Sequence, residues 1–150
     1  MKPAANPGGY ANFAAQYPPT KTPMLRETMN QISVDVTTAY VESQSSPEEN
    51  HFVFTYSIRI KNIGSAAARL LNRHWIITDA NGKVQEVVGE GVVGEQPLLR
   101  PGEDFHYTSG TSLETPVGSM QGSYQMRAEN GDHFDALIAP FTLAIPRSLN

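Results

Sequence analysis

Three glycines spaced as G-x-G-x-x-G, namely Gly89, Gly91 and Gly94, form the pattern in this sequence that most resembles a cofactor-binding motif. In dinucleotide-binding proteins, such glycines open a helix whose N–H groups and positive end bind a pyrophosphate. Here Pro97 follows closely, and proline inside a helix removes a hydrogen-bond donor and clashes with the preceding turn. No amphipathic helical pattern follows. The sequence therefore excludes a dinucleotide site and predicts that these glycines lie between strands.

Without a helix, the same glycines still allow an anion site. Consecutive backbone N–H groups in a glycine turn form a nest that binds phosphate or pyrophosphate. Basic side chains would supply the counter-charge, and the candidates are Arg73, Arg100 and Lys83. Glu90 and Glu95 flank the turn and would repel an anion unless a metal ion bridged them.

Two other interpretations need no anion. In the first, the glycines allow a β-bulge and a turn in which backbone segments lie close together, and the side chains of Val92 and Val93 pack against the rest of the protein. This structural interpretation is favoured, because a motif outside its usual context is a weak signal. In the second, the loop is a protein-docking surface, since loops on rigid scaffolds carry recognition. The candidate anion- or partner-binding residues are Gly89, Gly91, Gly94, Arg73 and Arg100.

The remaining residues that could do chemistry form no convincing site. The four histidines are scattered, and none has the spacing of a paired metal ligand. The segments Asp-His-x-Asp at 132–135 and Glu-Glu-x-His at 48–51 are weak metal candidates beside predicted turns. Ser109 lacks the strand-to-helix elbow of a nucleophile, and no acid–base pair has supporting context. We therefore predict no enzyme, no cofactor and no metal site.

Composition limits the function classes. A chain of 150 residues has the length of one domain and can bury roughly two-thirds of its unfolded surface. Its net charge is −4 with no basic run, which argues against a nucleic-acid partner. It has no cysteine, so disulfides, thiolate metal sites and cysteine nucleophiles are excluded. No apolar stretch has transmembrane length and no signal peptide is evident, so we expect a cytoplasmic protein without membrane contact.

From about Gln31 onward, the hydrophobic pattern has the period of two that is typical of β-strands. The clearest run covers residues 51–61, with apolar side chains on one face and mostly polar ones on the other. Similar alternation recurs at residues 32–36, 71–78, 105–109, 120–128 and 141–145. Asn81-Gly82 and Asn130-Gly131 predict two-residue hairpin turns in which both central residues have positive φ. About seven or eight short antiparallel strands with such turns indicate a β-sandwich.

Five segments with a specific order carry a resemblance to a known family. They are LLNRHWII at 70–77, GEGVVGEQP at 89–97, LRPGE at 99–103, YTSG at 107–110 and MQGSY at 120–124. Together they resemble the ApaG family over about residues 32–146. The resemblance implies a fibronectin type III-like sandwich, often a small standalone bacterial protein, associated with a cobalt and magnesium efflux phenotype. Similar eukaryotic domains are attached to an F-box substrate adaptor and to a polymerase-interacting protein, which implies a protein-interaction module.

We therefore predict an all-β, immunoglobulin- or fibronectin type III-like sandwich at residues 26–150, preceded by a flexible arm at residues 1–25. By analogy with immunoglobulin domains, we expect Trp75 in the core and Tyr124 as a corner tyrosine two residues before a buried Met126. The predicted function is a non-enzymatic module that binds an unidentified protein through loops and edge strands, with a homodimer as one expected assembly. The alternative is a small-ligand sensor that binds pyrophosphate or a nucleotide phosphate at residues 89–94.

Overall fold

The computed structural model describes residues 29–146. The flexible arm predicted for residues 1–25 lies outside the described residues, as do the two ends of the predicted domain, 26–28 and 147–150. The described chain forms eight strands: β1 (Ile32–Tyr40), β2 (Phe52–Asn62), β3 (Ala68–Asp79), β4 (Val84–Glu90), β5 (Leu98–Leu99), β6 (Asp104–Leu113), β7 (Val117–Ala128) and β8 (His133–Ala144). Two short 3-10 helices, Glu42–Gln44 and Pro47–Glu49, connect β1 to β2. No helix in this part of the chain is long and apolar enough to cross a membrane.

The strands form two antiparallel sheets that enclose one core. The first sheet has the order β1-β2-β6, and the second has the order β4-β3-β7-β8, with β5 also paired to β3. Strands β3 and β7, which are far apart in sequence, pair at the centre of the second sheet. Strands C and F pair in the same way in immunoglobulin-type sandwiches. The predicted all-β sandwich of about seven or eight antiparallel strands is confirmed.

Strand β2 shows how the sequence pattern builds the core. Every second side chain from Phe52 to Asn62 is buried, and the side chains between them are partly exposed. Because successive side chains of a strand point to opposite faces, this alternation directs one face of the first sheet against the second. The inward side chains of both sheets form one continuous hydrophobic cluster. The predicted inward row of β2 is confirmed: Phe52, Phe54, Tyr56, Ile58 and Ile60.

The hairpin turns at Asn81-Gly82 and Asn130-Gly131 occur where the sequence predicts them, but the predicted geometry is wrong. Only the glycines have positive φ, 84° at Gly82 and 93° at Gly131. Each glycine N–H donates a hydrogen bond to the carbonyl oxygen three residues earlier. The arrangement is a type I turn followed by a left-handed glycine, which makes a three-residue hairpin loop rather than a two-residue one.

An extra residue in β3, Leu71, changes which side chains of this strand face inward. The pairing with β7 skips it, since Leu70 and Asn72 pair with consecutive residues of β7. Before this β-bulge the fully buried side chain is Leu70, whereas beyond it the buried apolar side chains are Trp75 and Ile77. The bulge therefore shifts the inward–outward alternation by one residue.

Trp75 lies at the centre of the core, as predicted, and is 2% exposed. Its indole makes an edge-to-face contact with Tyr56 of the first sheet, at a centroid separation of 5.4 Å. It makes two more within the second sheet, with Tyr124 at 6.3 Å and with Phe141 at 5.9 Å. Gly122 of β7 pairs with Trp75 of β3, and a Cβ on Gly122 would collide with the β3 backbone. The absence of a side chain at Gly122 therefore lets β3 and β7 approach closely beneath the indole.

Tyr124 is not a corner tyrosine, so this part of the immunoglobulin analogy is wrong. A corner tyrosine bonds to the backbone a few residues upstream. Tyr124 instead lies within β7, and its hydroxyl is hydrogen-bonded to the hydroxyl of Tyr107 on β6, 2.6 Å away. Burial raises the pKa of Tyr107 to about 12 and also raises the pKa of Tyr124. The two hydroxyls thus satisfy each other inside the core and join the two sheets.

Alkaline pH should weaken the fold through this tyrosine pair. A tyrosine in the unfolded chain ionises near pH ~10, whereas Tyr107 in the folded chain has a pKa of about 12. The folded state therefore binds more protons across this interval, and the free energy of unfolding should fall by on the order of 2 kcal/mol as the pH rises. Urea denaturation at a series of pH values measures this fall. The double variant Tyr107→Phe/Tyr124→Phe should lose less, and an equal loss would contradict the assignment.

Candidate functional site

Strand β4 is the outer strand of the second sheet and contains the first glycine of the motif. It pairs with β3 along its whole length, and no other described strand pairs with it. Almost all of its residues are exposed. The sequence pattern does not predict this strand, because its three valines, Val84, Val87 and Val88, do not alternate with polar residues.

The prediction that the three glycines lie between strands is wrong for Gly89, which lies within β4, opposite Arg73 of β3. The Arg73 guanidinium lies over Gly89, where a Cβ would be only 2.8 Å from Cζ. Nη1 of Arg73 donates hydrogen bonds to the carbonyl oxygens of Glu90, at 3.1 Å, and of Gly91, at 2.9 Å. Gly89 thus leaves room for an arginine that binds the backbone at the end of β4. Three of the predicted site residues, Gly89, Gly91 and Arg73, lie together.

Gly91 and Gly94 belong to a tight hairpin that follows β4. The Val92 and Glu95 N–H groups each donate to the other residue's carbonyl oxygen, at 2.8 and 2.9 Å. Between them, Val93 and Gly94 have φ values of 42° and 81°, as in a type I′ turn. The Gly91 N–H donates to a carbonyl oxygen of β3 at 2.8 Å. Three N–H groups are therefore engaged by the backbone, which favours the bulge-and-turn interpretation over the anion nest.

The prediction that two valines of this hairpin pack is confirmed for Val92 and wrong for Val93. Val92 is fully buried, whereas Val93 is 56% exposed at the tip of the hairpin. Its positive φ is strained for a β-branched side chain, and such strain persists only where the surrounding structure imposes it. The tip therefore presents an apolar side chain to solvent in a conformation that the turn imposes.

Three further hydrogen bonds fasten the hairpin to β3. The side-chain amide of Gln96 donates to the Leu71 carbonyl oxygen at 2.9 Å, and Arg69 Nη1 donates to the Gln96 carbonyl oxygen at 2.7 Å. The Leu70 N–H donates to the Pro97 carbonyl oxygen at 3.0 Å. Strand β5 then continues the pairing with β3. Residues 84–99, which we call the border segment, are thus attached to β3 at both ends and in between.

The other predicted counter-charges are paired with carboxylates. The Arg100 N–H donates to Glu103 Oε1 at 2.8 Å, and Arg100 Nη1 lies 3.8 Å from the same oxygen. Lys83 precedes β4, and its Nζ donates to Glu114 Oε2 at 3.1 Å. Of the three predicted cations, Arg73 is the one whose hydrogen bonds reach the glycine segment.

The two weak metal candidates gain no support from the structure. Within residues 29–146, no three histidine, aspartate or glutamate side chains lie close enough to hold a metal ion. Asp132 accepts a hydrogen bond from the Asn130 side chain, and its own N–H donates to Asn130 Oδ1. These bonds belong to the β7–β8 turn and explain the local sequence without a metal.

Exposed hydrophobic side chains are concentrated along the border segment. Seven large hydrophobic residues are exposed in the described part of the chain, and five of them lie between residues 84 and 98: Val84, Val87, Val88, Val93 and Leu98. A sixth, Leu137, belongs to the same sheet. This surface is not evident from the sequence, because valine is typical of all strands and only the sheet order shows which strand lies at an edge.

The outer face of the second sheet extends this apolar surface. Cross-strand pairing places Val88, His74, Ser123 and Leu137 in one row across four strands. The two ends of the row, Val88 and Leu137, are 72% and 75% exposed. A shallow groove of about 350 Å³ lies between His74 and Leu137. His74 Nε2 also lies 2.5 Å from Glu86 Oε2, which fixes the imidazole beside β4.

The outer face of the first sheet is charged instead. Arg59 Nε donates to Asp104 Oδ2 at 2.8 Å, and Arg59 Nη1 lies 4.0 Å from Asp35 Oδ2. His106 Nε2 lies 3.6 Å from Asp104 Oδ2. The hydrogen bond from Arg59, with a further contribution from His106, lowers the pKa of Asp104. The two outer faces therefore differ, since charged groups pair with each other on one while apolar side chains remain exposed on the other.

Comparison with known proteins identifies the family. A family model described as the ApaG domain matches residues 42–128, which include strands β2 to β7 and the whole border segment. The chain belongs to the ApaG family. The ApaG resemblance of the five sequence segments is confirmed by this match.

Two relatives named Protein ApaG and one solved structure cover most of the chain. Protein ApaG from Azoarcus sp. (strain BH72) is 58% identical over 127 residues, which are 85% of this chain and 100% of the relative. Protein ApaG from Thiobacillus denitrificans is 62% identical over 120 residues, which are 80% of this chain and 94% of the relative. A crystal structure of the ApaA protein from Bordetella pertussis has a TM-score of 0.76 and 52% sequence identity, covering 79% of this chain and 98% of that chain.

The two hairpin glycines should respond differently to a side chain. At Gly91, φ is 65° and a Cβ would collide with the Glu95 carbonyl oxygen, whereas at Gly94, φ is 81° and nothing lies near the position of a Cβ. Gly94→Ala should therefore cost about 1–2 kcal/mol of unfolding free energy, the usual penalty of the left-handed region, and Gly91→Ala should cost more. Urea denaturation of both variants measures the difference. Equal costs would show that the hairpin backbone is not held as described.

Proposed function

We propose that this member of the ApaG family is a non-enzymatic protein-interaction module, and that its border segment forms the binding surface. The observation that carries the proposal is the concentration of exposed hydrophobic side chains on β4, the hairpin tip and β5. Contiguous apolar surface in contact with water is unfavourable, and on soluble proteins it commonly marks a site where another protein binds. Within residues 29–146, the opposite sheet, whose charged groups pair with each other, offers no comparable apolar surface.

The rigidity of the border segment supports the same function. Hydrogen bonds from Arg73, Gln96 and Leu70 fasten it to the adjoining backbone, so little conformational entropy remains to be lost on binding. The strained Val93 tip fits this function, because strain of this kind is found at ligand clamps and other functional sites. We further propose that the protein works in the cytoplasm, and that the family's link to cobalt and magnesium efflux acts through the bound partner.

A photoreactive amino acid placed on the border segment tests the interaction module. Introduced at Val88 or Val93 in cells of the source organism, it should give covalent adducts with one recurring protein. The same amino acid at Ala39, an exposed residue of β1 on the other sheet, is the matched control and should not give that adduct. Identical adducts from all three positions, or none from Val88 and Val93, would count against the border segment as the binding surface.

The alternative function is a sensor of pyrophosphate or a nucleotide phosphate at residues 89–94. The hydrogen bonds of Gly91, Val92 and Glu95 weigh against it, because their N–H groups are already engaged. We expect no stabilisation in a thermal-shift scan with pyrophosphate and nucleotides. A ligand that does bind, present at about a hundred times its dissociation constant, would add about 2.7 kcal/mol. A shift that is present in the parent chain and lost in Arg73→Met would establish the sensor instead.

A further inference from the structure

The backbone of β4 offers a row of hydrogen-bonding groups on its outer side. Lys83 and Gly91 are both bonded to β3, through the Lys83 carbonyl oxygen and the Gly91 N–H. In an antiparallel ladder, every second residue faces the partner strand, so Gln85, Val87 and Gly89 also face β3. The residues between them, Val84, Glu86, Val88 and Glu90, turn their N–H and C=O groups away from β3. No described strand pairs with β4 on that side.

The same four residues present an alternating chemistry on the outer face of the sheet. Val84, Glu86, Val88 and Glu90 pair with outward-facing positions of β3, so their side chains share one face. Along this face, β4 therefore reads apolar, acidic, apolar, acidic. Glu90 has no ion pair within the described residues, and Glu86 is bound through Oε2 to His74, which leaves Oε1 for another donor.

We propose that β4 binds an extended peptide segment of a partner by strand addition, and that this segment alternates hydrophobic and basic residues at every second position. The inference rests on the interaction function proposed above and specifies its partner. Main-chain hydrogen bonds to the free edge supply affinity, while alternate side chains supply specificity. Valines of β4 then face hydrophobic residues of the peptide, and the two glutamates face lysine or arginine, which is the favourable cross-strand arrangement.

A second copy of this chain fits the same edge poorly. Two antiparallel β4 strands related by a two-fold axis can pair in three central registers. One register opposes Glu86 to its own copy, another opposes Glu86 to Glu90, and the third opposes each of these glutamates to a valine. Like charges placed directly opposite each other destabilise a sheet, and valine cannot neutralise a glutamate. The net charge of −4 on each chain adds to the repulsion.

Amide exchange measured by NMR on the full chain tests the proposal with synthetic peptides. The probe is a peptide of about nine residues, a common strand length, in which valine and lysine alternate at every second position with threonine between them. It should slow the exchange of the Val84, Glu86 and Val88 amides. The Gln85 and Val87 amides face β3 and serve as internal controls, which should change little. A peptide with glutamate in place of each lysine, and a scrambled peptide of the same composition, should give no such protection.

Variants of β4 separate the backbone and charge contributions. Val88→Pro removes an outward-facing N–H without removing a bond to β3, so it should abolish protection by the peptide, while Val88→Thr keeps the N–H and should retain it. Glu86→Gln/Glu90→Gln should weaken binding by about threefold to tenfold, with a smaller dependence on salt. Circular dichroism and thermal denaturation confirm that each variant is folded before binding is measured.

Several results would overturn the proposal. These are equal protection by the acidic peptide, unchanged binding by Val88→Pro, or no protection with any peptide. Protection of the same amides that rises with protein concentration alone would assign the edge to a second copy. If Val88 cross-links to a recurring partner while no peptide protects β4, the interaction module stands and strand addition fails. If the cross-link is also absent, the proposed function fails with it.

Discussion

The packing of Trp75 is the constraint on which the arrangement of both sheets depends. Its indole contacts Tyr56 in the first sheet and two aromatic rings in the second, so one side chain sets the separation of the sheets at the centre of the core. Gly122 must lack a side chain for β7 to pair closely beneath it. The Tyr107–Tyr124 hydrogen bond provides a second, polar connection between the two sheets. Together they fix the orientation of β3, and β3 positions everything at the border.

The border segment is a consequence of that arrangement. With β3 held centrally between β7 and β4, β4 becomes the last strand of its sheet, and its valines have too few neighbours to be buried. Arg73 extends from the interior side of β3 over Gly89, and the missing Cβ at Gly89 leaves space for this guanidinium without invoking a bound phosphate. The motif that resembles a nucleotide cradle therefore terminates a strand and forms a rigid hairpin.

The sequence predicted the fold well, because period-two alternation and turn residues are local features of the sequence, and burial of the apolar side chains in the core reinforces the structure that they favour. Strand β2 and Trp75 are clear examples. The candidate site was predicted only in part. Gly89, Gly91 and Arg73 do lie together, but Arg100 is paired with Glu103, and the exposure of Val93 was not foreseen. The first outcome depends on which side chains meet in the folded chain, and the second depends on a left-handed backbone conformation at a valine. Neither can be read from the types of a few neighbouring residues.

Because of the bulge at Leu71, the orientation of the side chains of β3 depends on the exact number of residues in the strand. The inward-facing residues have even numbers before the bulge and odd numbers after it, as Leu70 and Trp75 show. Loss or gain of a single residue there would exchange the two faces of the following half. Trp75 would then turn to water and His74 would turn into the core. Substitutions can be absorbed one at a time in this strand, but a change of one residue in its length would alter every position beyond it.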